Sequence, residues 1–217
     1  MFKIIAEGIG TLFLVLAIGL SADPVVAGLI YILLLYICYP AWDAHLNPAV
    51  SIGAWTSGRD GTGILINRLL GQFIGAGAGG WLTFYITGIP VIPGPSSSTG
   101  VVEFIFLELA FSALFVLLFL VMIYPKNEKR NGLFGLVIGA GFAGCLIVVE
   151  PISGLGLNPA FNTAFTLIDY LQGGSSYVHL PVYLFGPLVA AIVAGLVHRK
   201  TISNKKDEFS GGYKSRN

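Results

Sequence analysis

The sequence predicts an all-α membrane protein of six transmembrane helices and two re-entrant half-helices, arranged as an inverted repeat. Three observations predict it. The chain is strongly apolar, with 55% hydrophobic and 11% charged residues and a mean hydropathy of +0.81; a soluble domain carries about 25% charge. Its basic residues fall only at one set of alternate connections between the apolar runs and at the run ends beside them. The tripeptide Asn-Pro-Ala occurs twice, at Asn47-Pro48-Ala49 and Asn158-Pro159-Ala160, each time after a leucine (Leu46, Leu157).

Crossing about 30 Å of hydrocarbon takes roughly 20 helical residues. Six runs meet that length, at 2–21, 24–41, 65–85, 101–124, 132–149 and 180–198. Met1-Phe2-Lys3 leads straight into the first run, which is too long for a cleaved signal segment. Two shorter apolar runs remain, 48–55 and 159–168. Each opens with Asn then Pro, which suits a helix start: Asn caps the free N–H groups, and Pro fits the first helical position. At about 1.5 Å per residue each covers about half the bilayer. A backbone ending at that depth must be buried in protein or line a water-filled cavity.

Lys3, Arg59, Arg68, Lys126, Lys129, Arg130, Arg199, Lys200, Lys205, Lys206, Lys214 and Arg216 are all of the basic residues. With six spans they lie on one side, and the loops around Asp23, 88–100 and 150–177 hold none. The excess of Lys and Arg marks the cytoplasmic face, so both termini are expected there. Residues 1–198 read as one channel domain, and 199–217 as a polar cytoplasmic tail, solvated or drawn to anionic lipid.

The chain also repeats. Ala6-Glu7 with Thr11-Leu12 resembles Leu107-Glu108 with Ser112-Ala113, and Gly75-Ala76 resembles Gly186-Pro187. The halves, about 1–100 and 101–198, each hold three spans and one short helix. Three is odd, so the halves are inverted, and their short helices enter from opposite faces to meet at mid-membrane. Residues 93–98, rich in Pro, Gly and Ser, join the halves.

Two half-helix N-termini meeting tip to tip would each carry roughly +0.5 of an elementary charge, a barrier to cations and protons that neutral molecules do not feel. Asn47 and Asn158 would cap with their side-chain oxygens and leave NH₂ donors facing a lumen. Glu7 and Glu108 are carboxylates inside spans, where charge is costly. Their matched places suggest that they accept hydrogen bonds from the loops before the short helices; a proton relay is the alternative. His45 either orients its loop, touches the pore mouth, or simply packs. The small residues Gly71, Gly75, Ala76, Gly77, Ala78, Gly79 and Gly80 would let the third span approach a neighbour closely, as would Gly186 in the sixth. Cys38 and Cys145 sit in apolar runs as small buried residues. The three histidines are too scattered for a metal site, and no cofactor loop, nucleophile–base pair or nucleic-acid patch is present, so no cofactor or nucleic-acid partner and no enzymatic activity are expected.

Over residues 1–198 the chain resembles the major intrinsic protein family, the aquaporins and aquaglyceroporins. The resemblance rests on Ala6-Glu7-Gly8-x-Gly10-Thr11, His45-Leu46-Asn47-Pro48-Ala49-Val50, Gly71-Gln72-x-x-Gly75-Ala76, Asn158-Pro159-Ala160 and Gly186-Pro187-Leu188. It implies a homotetramer in the cell membrane, surrounded by lipid, with one pore per subunit for water, glycerol or other small neutral solutes. The family's second motif normally continues with an Arg that lines an outer filter; here that position is Phe161. By ungapped spacing the other filter positions are Ala27, Leu146 and Leu155. That ring has no side-chain donor and no charge, so it cannot replace the hydrogen bonds a water or polyol loses on entry. A passive channel is the leading reading. A secondary transporter also uses inverted repeats and broken helices, and a closed-pore structural membrane protein is compatible with the apolar ring.

Overall fold

The computed structural model describes residues 2–125 and 131–211. The chain folds as α1 (Phe2–Ser21), α2 (Pro24–Trp42), α3 (Pro48–Thr56), α4 (Thr62–Thr87), α5 (Val101–Ile123), α6 (Phe134–Ser153), α7 (Pro159–Leu171) and α8 (Leu180–Gly211), with a 3₁₀ turn Ser176–His179 before α8. It is an all-α membrane protein with six spans and two half-helices, α3 and α7. Among the described residues, four helices alone are apolar and long enough to be recognised as spans from composition. Of the other two spans, α2 has an apolar stretch that stops at Pro40. In α4, Arg68, Gln72 and the glycine run dilute the apolar character.

The helix bounds differ from expectation in ways that local chemistry explains. Helix α2 starts where expected because Asp23 caps it, accepting from the N–H groups of Val25 and Val26 at 2.7 and 3.3 Å, with Pro24 at the first position. Helix α6 begins two residues late and runs four past its expected end, carrying Ser153 to the carboxylate of Glu108. Helix α8 does not stop at His198 but continues to Gly211, so much of the expected tail is helical; residues 212–217 lie outside the described residues. Lys126, Lys129 and Arg130 also lie outside the described residues.

Packing obeys the repeat. Helix α1 packs against α4, and α5 against α8, its counterpart pair. Each half-helix packs on the last span of the other half, α3 on α8 and α7 on α4. The halves are thus interlocked by exchange of their half-helices, while α2 and α6 close the bundle between them. Polarity is arranged as a bilayer requires. On α1, Ile5, Ile9 and Phe13 are about half exposed, while Glu7, Gly10, Thr11 and Leu14 on the opposite face are buried. Such an apolar outer surface over a polar interior is stable against lipid tails, not water.

The glycines of α4 act at one seam. A Cβ at Gly71, Gly75 or Gly79 would run into the backbone of α1 at Ile4, Gly8 or Leu12. These positions recur every fourth residue, on one face, and set the α1–α4 distance. Gly77 faces open space. Gly75→Val is therefore expected to destabilise the protein by more than the roughly 1–3 kcal/mol of ordinary overpacking, because backbone atoms cannot rotate away. Gly77→Val is expected to change little, and thermal unfolding of the two purified variants compares them.

Candidate functional site

Each half-helix begins from a loop that turns sharply inside the protein. The turn is made by a leucine in the left-handed region, Leu46 at φ 58° and Leu157 at φ 70°. A branched side chain pays roughly 1–3 kcal/mol for that conformation, so something must hold it. Two things do. Buried carboxylates grip the loop N–H groups: Glu7 accepts from His45 N at 2.8 Å and Leu46 N at 2.7 Å, and Glu108 accepts from Leu157 N at 3.1 Å. The left-handed turn also aims each leucine carbonyl across the midline. Asn47 Nδ2 donates to the carbonyl of Leu157, and Asn158 Nδ2 to that of Leu46, both at 3.0 Å.

The asparagines therefore do two things at once. Oδ1 of Asn47 accepts from Ala49 N at 2.8 Å, and Oδ1 of Asn158 from Ala160 N at 3.1 Å, capping α3 and α7. Pro48 and Pro159 take the first helical positions. One amide hydrogen of each Asn ties the halves together. The expectation that both donors face a lumen is corrected accordingly: each NH₂ spends one hydrogen on the opposite loop, since that turned carbonyl would otherwise be buried without a partner. Asn47, Ala49, Asn158 and Ala160 are all 0% exposed.

Around Glu7 lies a polar cluster that pattern reading did not assemble. Arg68, counted above among the loop cations, is fully buried. It donates to Glu7 and Asp60 at 2.8 Å, to Asp43 Oδ2 at 2.6 Å, and to the Asp43 carbonyl. Gln72 donates to Glu7 at 2.9 Å and to Ser51 Oγ at 2.8 Å. Arg68 and Gln72 stand four residues apart on one face of α4, the signal that could have found them. Lys3 adds a 3.0 Å bridge to Asp43. Burial pushes the Asp43 carboxyl up, but Arg68, a hydrogen bond from Tyr39 and Lys3 together outweigh it and hold the carboxyl below its usual range. Glu108 has a leaner shell, Ser153 Oγ at 2.6 Å and the Leu157 N–H, and Gly156 is needed beside it because a Cβ there would strike the carboxylate.

His45 packs. Its Nδ1 lies 3.2 Å from Ser51 Oγ and its Nε2 3.1 Å from Tyr124 OH, and its ring stands edge-on to Phe119. Arg59 lies over the Tyr124 ring at 5.5 Å, at the end of the bundle that carries Lys3 and Arg68.

At the opposite end, a cavity of about 360 Å³ is lined by Ala27, Leu146 and Leu155, together with Asp23, Ser96 and Glu150. Three of the four expected filter positions thus meet. Phe161 does not line this cavity; it is 1% exposed and meets Phe142 edge-on at 6.2 Å. The segment joining the halves is more than a linker: Gly94 and Ser96 wall the same cavity, and Ser96 N and Thr99 Oγ1 both donate to the carbonyl of Ile152 at 2.9 Å.

Two capped half-helices meeting tip to tip inside six spans define a membrane channel of the inverted-repeat class. The sequence model of the Major intrinsic protein family matches residues 1–198. The chain belongs to that family, and its function is that of a passive channel for water or small solutes. It is 31% identical over 203 residues to the probable aquaporin AqpM of Archaeoglobus fulgidus, covering 88% of this chain and 77% of the relative. It is 30% identical over 207 residues to aquaporin NIP1-1 of Zea mays, covering 88% and 71%. The crystal structure of the aquaglyceroporin from Plasmodium falciparum superposes with a TM-score of 0.82 at 20% identity, covering 95% of this chain and 98% of that one, a likeness of fold.

Proposed function

We propose that the channel excludes ions at the crossing of the half-helices and passes small, weakly polar neutral solutes more readily than water. The observation that carries the reading is the pair of opposed helix N-termini, held by Asn47 and Asn158 at mid-membrane. Their positive ends repel cations in a low-dielectric setting, where no counter-ion compensates. The apolar ring of Ala27, Leu146 and Leu155, with Phe161 in place of an arginine, offers a hydrated solute no side-chain hydrogen bond. Water and polyols lose more there than ammonia or dissolved gases do. The loop-supporting roles of Glu7, Glu108 and His45 are part of this proposal.

The functional unit in this reading is a homotetramer in the cell membrane with one pore per subunit and with lipid against the exposed Ile, Leu and Phe side chains. Both termini are cytoplasmic, by the one-sided distribution of Lys and Arg. The protein carries no catalytic role. Residues 1–198 form the channel domain and 199–217 an appendage to it.

Proteoliposome flux tests the reading. Ammonia is expected to cross faster than in empty liposomes, with a smaller gain for water and no conductance to potassium. Ala27→Trp, which fills the cavity, is expected to return ammonia flux to the empty-liposome level. Potassium current would overturn the ion barrier, and flux that requires an ion gradient would make the protein a transporter.

A further inference from the structure

From the cavity inward, the path is carried by α2 and α6, whose Ala27 and Leu146 line it. Residues four apart on a helix lie on one face, a turn apart. Helix α2 runs inward from the cavity, so one turn deeper it places Tyr31. Helix α6 runs toward the cavity, so one turn deeper it places Phe142. These two rings meet edge to face, with centroids 5.1 Å apart and planes at 83°. Phe115 of α5 packs on both, at 5.9 Å from Tyr31 and 4.9 Å from Phe142. Phe161 of α7 reaches Phe142 from the remaining side. Four helices thus contribute one aromatic layer between the cavity and the paired asparagines. All four rings are 0–1% exposed, although the cavity lies a single turn away.

Rings in such contact leave no water-wide lumen between them. The layer also presents no donor or acceptor to a solute. The one hydroxyl in it, on Tyr31, donates to the carbonyl of His45 at 2.6 Å, anchoring the ring to the loop that leads into Asn47.

We propose that Tyr31 and Phe142 form a second, aromatic constriction, and that this layer, in series with the apolar ring above it, sets how fast water passes. A solute crosses when the rings rotate apart. A file of water breaks at the layer, because its members there lose hydrogen bonds with nothing in exchange. Small molecules that shed little hydration cross with less hindrance. The inference rests on the channel reading given above.

The test is a stopped-flow comparison of water and ammonia permeability in proteoliposomes holding wild type, Phe142→Val, the milder Phe142→Leu, Tyr31→Phe and Leu146→Ser, each checked for a monodisperse elution profile. Phe142→Val is expected to raise water permeability at least tenfold, with a smaller rise for ammonia. Phe142→Leu should give a lesser increase in the same order. Tyr31→Phe keeps the ring but frees it from the His45 carbonyl, and is expected to raise water permeability a few-fold. The proposal is overturned if both Phe142 variants conduct water like wild type, or if Leu146→Ser alone opens the pore, which would place the limit at the apolar ring. Wild-type water flux already at the level of the Phe142→Val variant would overturn it too. If no variant exceeds empty liposomes for either solute, the channel reading itself fails, and the constriction with it.

Discussion

Arg68→Ala is expected to lower the stability of the detergent-solubilised protein by about 3–5 kcal/mol, the usual cost of breaking a buried ion pair from one side. Arg68 is buried and bonds to the carboxylates of Glu7, Asp43 and Asp60. Without it, the fully buried Glu7 loses its cation. The loss reaches further than one pair, because Glu7 also holds the His45 and Leu46 N–H groups and so the strained turn into α3. Arg68→Lys is expected to fall between, since an ammonium cannot reproduce a planar fork that reaches three carboxylates. Thermal unfolding followed by the loss of monodisperse protein checks both, and a wild-type midpoint for Arg68→Ala would remove Arg68 from the supports of the half-helix. The same cluster sets an acid sensitivity. The Asp43 carboxyl is held below its usual range, so its contribution is complete above the ordinary carboxylate pKa and is lost as pH falls through the lowered value. An Asp43→Asn variant should show a smaller loss of midpoint on acidification than wild type.

Asn158→Ala is expected to cost about 2–4 kcal/mol. Of this, roughly 1 kcal/mol is the lost cap on α7. A further 1–3 kcal/mol or so comes from the Leu46 carbonyl left buried without its donor. Asn47→Ala removes the mirror-image pair of bonds, to Ala49 N and the Leu157 carbonyl. Both residues secure one junction, so the two losses should not add. A double-mutant cycle on unfolding midpoints is expected to give a coupling of roughly 0.5–3 kcal/mol. Coupling near zero would mean that each half-helix is held by its own half alone.

The legible parts of this protein were those written as local pattern. A run of about 20 apolar residues has one solution in a bilayer, because a backbone in hydrocarbon must satisfy itself. Asn-Pro at the head of a run too short to span marks a buried helix start, and recurrence of Glu7 and Thr11 as Glu108 and Ser112 exposes the repeat. The matched carboxylates could be placed near the half-helix loops on those grounds. Less legible were features without a period. Arg68 reads in sequence as one more cytoplasmic cation, yet it is a buried hub, because a charge is judged by its partners and three of them arrive from α1, the α2–α3 loop and the α3–α4 loop. The extension of α8 to Gly211 was missed because a polar helix end carries no apolar signal.

By itself the sequence determined the membrane class, the doubled Asn-Pro-Ala and the inverted halves, since hydrophobic length, capping chemistry and repetition act over neighbouring residues. Only the tertiary structure decided how the halves lock. It turned Leu46 and Leu157 left-handed, sent each asparagine amide to the other half's carbonyl, and gathered Tyr31, Phe115, Phe142 and Phe161 from four helices into one layer. Those relations join residues as many as 130 positions apart, from Tyr31 to Phe161. Nothing in the local chain specifies such a meeting; it follows from where packing puts the helices.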